Sequence, residues 1–355
     1  MSDPLERITI TCGGKSFSGF YSISINYSIE EAVRTATLDA SDFGGSSPLL
    51  PDEPVTISAG GTLILTGYVR DFSPSFDANT WSSSISIVSR TVDAVEASIV
   101  HPKGWAEKKS MTDLAKEFDT LGTGIEADES FPIEPNHFIN PGASLFDEIE
   151  PLARAQSAFL YDTPEGKLKI RKKPAGTHSG GLRQGLNILS GSAKLTGQGR
   201  FNPVIIRGQS TSGDGKGALQ LEARVSDSGV KRQRPRIIID EAETTSGRLK
   251  GRAERHVKRA AGYSREATIE AIGWRDQGGM IWMPHYLVHL DAPRLYVTQM
   301  MGIKSVTLTQ DISGGGTRSS LTLADPRAMN GEASASSGSA GYWATPDSDA
   351  QVLGA

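Results

Sequence analysis

Two stretches of this sequence, residues 54–89 and 286–323, follow one pattern, and that repeat limits the folds open to the chain more than any other feature. The first alternates from Pro54 to the turn Gly60-Gly61, continues through Gly67 to Phe72, and closes on Ser84–Ser89. The second runs from Tyr286 past Pro293, continues through Gly302 to Leu308, turns at residues 311–315 and closes on Ser320–Leu323. Few residues match literally, so the likeness is one of pattern: strand, turn, strand into a glycine, strand, polar turn, strand. A chain with two like antiparallel β modules suits a symmetric assembly better than a single catalytic pocket. If the repeat is structural, Gly67 and Gly302 should occupy equivalent places in two superimposable barrels.

The remaining sequence fits a mainly β chain with a smaller α+β part. At 355 residues it is too long for one core, and two to four domains are expected. Residues 7–98 read almost wholly as strands: Ile8/Ile10, Tyr21/Ile23/Ile25/Tyr27, Val55/Ile57 and Ile85/Ile87 alternate with polar partners. Gly13-Gly14, Gly60-Gly61 and Asp77-Ala-Asn79 supply turns. Short strands with tight turns favour a barrel or sandwich, so 1–98 is expected to be a first β-barrel. After residue 99 the texture changes. Ser110 with Asp113, and Ser144 with Asp147, resemble capping boxes ahead of helical apolar spacing, and Pro151 should kink or split the second helix. Phe159–Ile170 reads as a hairpin turning between Asp162 and Gly166, so 99–175 is expected to be a small α+β domain. Residues 176–245 read as connecting strands and loops that partly complete the barrels, with a short buried strand at Arg236–Asp240 and an exposed loop at Ser212–Gly217. A helix from about Ser246 to Gly262 then leads into a second barrel, together covering 246–328. The Ser/Ala/Gly-rich residues 329–355 read as a flexible tail.

Composition excludes several function classes. A net charge of −4 argues against binding nucleic acid with the whole surface. Cys12 is the sole cysteine, which rules out an internal disulfide or a cysteine metal cluster and fits synthesis in a cytoplasm. Met1–Arg7 lacks the basic start and apolar core of a signal peptide, and no run is long enough for a membrane span, so no membrane insertion is expected.

Chemical motifs fare poorly. Gly13-Gly14-Lys15-Ser16 ends like a phosphate loop, but position 9 is Thr and a strand follows where a helix is required, so a hairpin turn is the better reading. His285 and His289 lie in strand-like sequence, which would hold them roughly 13 Å apart, and position 286 is Tyr rather than the Glu of a metalloprotease. The acids Glu30/Glu31 and Asp147–Glu150 are not promised a cleft, and no nucleophile elbow occurs. No catalytic residue, cofactor or metal is therefore assigned.

Two features point to contact surfaces instead. Residues 231–259 hold ten Lys/Arg against four acids, and Arg248, Arg252, Arg255 and Arg259 form one stripe on the expected helix. That stripe would face an acidic partner or the acids of a neighbouring domain or subunit. Aromatic residues are not interleaved with it, which disfavours DNA. Trp274 and Trp282 flank a Gly-rich turn and read as core or interface anchors.

Four ordered stretches carry a family resemblance. They are Leu65-Thr-Gly-Tyr-Val-Arg70 with Ser89-Arg-Thr-Val-Asp-Ala-Val95; Ser144-Leu-Phe-Asp-Glu-Ile149 through Ala155 with Leu168-Lys-Ile170; Arg234-Pro-Arg-Ile-Ile-Ile-Asp240; and Gly273-Trp274 through Trp282-Met-Pro284. Spanning residues 7 to about 327, they resemble the baseplate hub proteins of contractile-tailed, Mu-like phages, the late control protein D or tail protein P family. Pro151 departs from that family's uninterrupted helix. The resemblance implies two tail-tube-like β-barrels with inserted small domains, and a non-enzymatic homotrimer whose six barrels ring a channel. The ring would join the tail tube protein to the central spike protein and contact other baseplate proteins, with DNA passing through unread. Its place would be the virion tail baseplate. The alternatives are a tail-associated cell-wall hydrolase and a DNA-binding protein using the basic helix.

Overall fold

The computed structural model describes residues 5–40, 49–209, 221–243 and 246–331. The expected loop Ser212–Gly217 and nearly all of the expected tail lie outside these residues. The N-terminal part is β1 (Ile8–Cys12), β2 (Lys15–Phe17), β3 (Ser22–Ser28), β4 (Thr35–Ala40), β5 (Pro54–Ala59), β6 (Thr62–Phe76) and β7 (Trp81–Ser89). Their alternation buries Ile23, Ile25 and Tyr27 of β3 and Ala36, Leu38 and Ala40 of β4 on one face. The strands pair antiparallel in the order β3-β4-β7-β6-β5-β1-β2. Gly13 and Gly14, both left-handed, make the β1–β2 turn.

A second core follows. It comprises α1 (Val92–Glu96), β8 (Trp105–Ser110), α2 (Met111–Phe118), β9 (Ile125–Ala127), β10 (Ile133–Phe138), α3 (Leu145–Ala155), β11 (Phe159–Asp162) and β12 (Leu168–Arg171). Ser110 caps α2, and Ser144 and Asp147 form the full capping box on α3. A kink or split was expected at Pro151; α3 is one continuous helix through it, so the split does not occur. The reason lies in its inner face: Leu145, Ile149 and Ala153, on both sides of Pro151, pack into one apolar cluster with α2 and β12.

Next come β13 (Leu182–Arg183), β14 (Ile188–Leu195), β15 (Val204–Gln209), β16 (Leu221–Val225), β17 (Arg236–Glu243), α4 (Ser246–Tyr263), β18 (Arg265–Ile272), β19 (Leu287–Ala292), β20 (Val297–Asp311) and β21 (Gly316–Ala324). β16-β15-β17 form a separate three-stranded sheet. α4 lays Leu249 and Ala253 on it and also packs against the turn Pro326–Met329. β17 was expected to be a buried strand. Instead Ile237 and Ile239 are 50% and 72% exposed, because only its other face, through Ile238, joins the apolar cluster of this sheet.

The other strands take the order β14-β18-β21-β20, with β19 and then β13 attached to β20. This matches β3-β4-β7-β6-β5-β1 in order, except that β13 pairs parallel with β19 where β1 pairs antiparallel with β5. The outer half of β20 also pairs with β3, and that seam joins both modules into one 13-stranded sheet over one apolar cluster.

The repeat is real in topology, but the two glycines are not equivalent. β5, β6 and β7 have 6, 15 and 9 residues, as do β19, β20 and β21. Each long strand is bulged, at Arg70 between the pairs Val69↔Ile87 and Asp71↔Ser86, and at Lys304 between Ile303↔Leu323 and Ser305↔Thr322. Just before the bulge, Val69 N–H donates to Glu53 O and Ile303 N–H to Tyr286 O. Bulge, backbone direction and buried face all make Val69 the counterpart of Ile303. Gly67 then matches Met301, and Gly302 matches Tyr68, one residue out of step. Each glycine answers its own local crowding: a Cβ at Gly67 would meet the Val88 carbonyl, and one at Gly302 would meet the Met329 side chain.

Candidate assembly surfaces

One end of the basic stripe is used within the chain. Arg248 lies in the first turn of α4, Arg252 and Arg255 are exposed, and Arg259 is half-buried. Although Arg255 is exposed overall, partial desolvation, then the adjacent Arg252, holds its guanidinium below its ordinary range. Arg259 lies over the Tyr263 ring at 5.6 Å and donates to its hydroxyl at 3.3 Å; that hydroxyl donates to Glu30 at 3.1 Å. The end of the stripe therefore ties α4 to the N-terminal module. Beside it lies a cavity of about 260 Å³ lined by Ile29, Phe146, Phe159, Arg154, Arg259 and Asn330.

Trp274 and Trp282 are not on the surface, each being 1% exposed. Trp274 donates its ring N–H to Thr309 O at 2.9 Å, and the Trp282 carbonyl accepts the Tyr27 hydroxyl at 2.6 Å. They anchor the core where the modules meet, because a ring of that size stabilises most when wholly buried. Their place among interface residues is thus corrected to the interior.

The acids that suggested hydrolysis hold the fold together. Asp147 caps α3, Glu150 pairs with Arg154 at 2.7 Å, and the buried Glu148 binds His137 and Asn140. His285 lies against Phe159 and Tyr161, ring centroids 5.1 and 5.4 Å away, while His289 stands exposed on β19. Burial, then Arg171, pushes His285 down to about 3. No group of three or more potential metal ligands occurs among the described residues, and among them no helix is long and apolar enough to cross a membrane.

Sequence reasoning missed a buried ion pair. Arg34 lies 3.3 Å from Asp162, both about 1% exposed at the side chain. Its guanidinium stacks on Tyr27 at 4.2 Å and also donates to Ile64 O. Nothing local marks Arg34, since its partners come from β3, β6 and β11.

Among the described residues, two of the large sheet's open edges answer each other. Beyond the bulge, β20 is flanked by β21 and β3, whereas the matching part of β6, Asp71–Phe76, is flanked by β7 alone among the described residues. The outer side of β14 likewise has no strand among them. Phe76 and Trp81 stack at 5.2 Å beside the first edge, 76% and 60% exposed.

No family model matches the chain. It is similar to the baseplate hub protein gp44 of Escherichia phage Mu, with 24% identity over 332 residues, 89% of this chain and 87% of that protein. The crystal structure of the prophage MuSo2 43 kDa tail protein from Shewanella oneidensis superposes with a TM-score of 0.79 at 25% identity, covering 92% of this chain and 100% of that one. A tail protein from Neisseria meningitidis MC58 shares the fold, with a TM-score of 0.75 at 16% identity over 90% of this chain and 97% of its own. In sequence the chain is thus similar to the Mu baseplate hub protein, and in fold to prophage tail proteins of the same kind.

Proposed function

We propose that this chain is a structural hub of a contractile-tail baseplate, in which three copies close into a ring of six like β modules around a channel. Similarity to the Mu hub protein supports the baseplate role. The observation that carries the ring is the internal repeat: two modules of one strand order are fused edge to edge through β3 and β20. Duplication within a chain lets threefold symmetry present a quasi-sixfold face. Such a ring matches a sixfold tail tube on one side and a threefold central spike on the other. DNA passes through the channel without being read, and the particle is assembled in the host cytoplasm. The chain performs no catalysis in this reading, since the candidate acids are spent on caps and ion pairs. The stripe of α4 and the boundaries at residues 98, 175, 245 and 328 belong to the same proposal, with the stripe facing a neighbouring subunit or baseplate protein. Sedimentation of the purified chain and a particle reconstruction test it. A strict monomer at high concentration, together with a baseplate lacking a six-module ring, rejects it.

A further inference from the structure

We infer that neighbouring copies join by strand addition, β14 of one copy docking on the outer half of β6 of the next, in the register that β3 uses on β20. The inference rests on the proposed ring and names the contact that closes it. Within the chain, β3 fills the edge of β20 with Tyr27 opposite Val306, Ile25 opposite Leu308 and Ile23 opposite Gln310. β6 is the counterpart of β20 and β14 the counterpart of β3, and the edges they leave open are the two halves of a pairing the chain has already made once.

The bulges fix the register. Ile25 pairs with Ala36, Ala36 with Ile87, and Ile87 with Val69, the residue before the bulge. Ala193 pairs with Ala267, Ala267 with Leu323, and Leu323 with Ile303, again the residue before the bulge. Ile25 and Ala193 are therefore counterparts, as are Leu308 and Pro74. The transferred pairs are Phe72 with Leu195, Pro74 with Ala193 and Phe76 with Gly191 on the inner face, and Ser73 with Lys194 and Ser75 with Ser192 on the outer.

The chemistry suits these pairs. Phe72 and Leu195 are both partly buried on the core's margin, and the addition would complete their burial. Phe76 would fall opposite Gly191, where Ile269 and Leu295 already cover the glycine and offer the ring an apolar neighbour. Lys194 falls diagonal to Asp71, with charges of opposite sign. Asp77 N–H donates across the hairpin to Thr80 O, so alternation turns the Pro74 nitrogen to the open side. Proline withholds one donor there while its carbonyl still accepts from Ala193. A proline on an edge discourages indiscriminate pairing, so the edge favours a partner whose side chains match. The contact joins unlike edges, and such a contact closes a ring or runs on as a filament.

The test introduces Ser73→Cys and Lys194→Cys together in the full chain, leaving the buried Cys12 in place. The pair is of the non-hydrogen-bonded kind, with Cα atoms about 4.5 Å apart, which lies within the span of a disulfide and suits closure under copper-phenanthroline oxidation. Interchain cross-links are expected for this pair and not for Ser73→Cys with Ser190→Cys, displaced roughly 13 Å along the strand. Hydrogen exchange on the unsubstituted chain adds a readout free of mutation, with the amides of Phe72, Phe76, Gly191 and Leu195 slowing on assembly. Oligomers that neither cross-link at 73/194 nor protect these amides overturn the pairing and leave the ring standing. Cross-linking that favours 73/190 overturns the register, and a chain that never assembles overturns ring and pairing together.

Discussion

Removing the guanidinium of Arg34 leaves the Asp162 carboxylate buried without its ion-pair partner, at a place where β3, β6 and β11 converge. Arg34→Met should therefore destabilise the chain by about 3–5 kcal/mol, whereas Arg34→Met with Asp162→Leu should recover much of that loss. Urea denaturation of the three chains checks it. His285 offers a pH test. Held neutral by burial with a pKa of about 3, against about 6.5 when unfolded, it contributes stability that is whole above pH 6.5 and is lost as the pH falls toward 3. Between pH 7.5 and 4.5 that loss is about 2–3 kcal/mol. His285→Asn, which tolerates the left-handed φ of 66° there, should show a correspondingly weaker pH dependence in the same denaturation assay.

At the scale of elements, the capping of α3 gives a direct test. Ser144→Ala removes a nearly buried cap whose hydroxyl accepts from Asp147 N–H, and should cost about 1 kcal/mol in thermal or urea unfolding. The two strand glycines should differ from each other. Gly67→Ala drives a Cβ into the Val88 backbone and should cost about 3 kcal/mol, while Gly302→Ala meets the flexible end of Met329 and should cost less. Equal losses would mean that the glycines do share one structural role. The helix starts at Ser110 and Ser144 were legible in the sequence because caps are local chemistry. The effect of Pro151 was not, because whether a proline divides a helix depends on what holds its two halves, here one shared core.

For the whole molecule, assembly should be sensitive to the outer end of β6. Phe76 is 76% exposed and loses only its stack on Trp81, so Phe76→Glu should cost the isolated chain about 1 kcal/mol or less. It should nevertheless raise the concentration needed for assembly about tenfold or more, a change of about 1.4 kcal/mol. Sedimentation velocity over a concentration series reads the shift, and an unchanged assembly midpoint would remove Phe76 from the interface.

The sequence by itself determined the strands, the main turns, the helix starts and the resemblance to Mu-like hubs, because alternation, capping and ordered landmarks are written over short distances. It also carried the repeat, though not its alignment. Gly67 and Gly302 looked like markers, yet the bulges at Arg70 and Lys304 set the correspondence, and a bulge exists only between two paired strands. Trp274 and Trp282 were legible as anchors, but only packing decided that they anchor the inside. Arg34 met Asp162, and β3 met β20, through tertiary structure alone, because those partners lie far apart in the chain and no local pattern encodes which edge will face which. The same closure of one edge within the chain is what leaves its counterpart on β6 open.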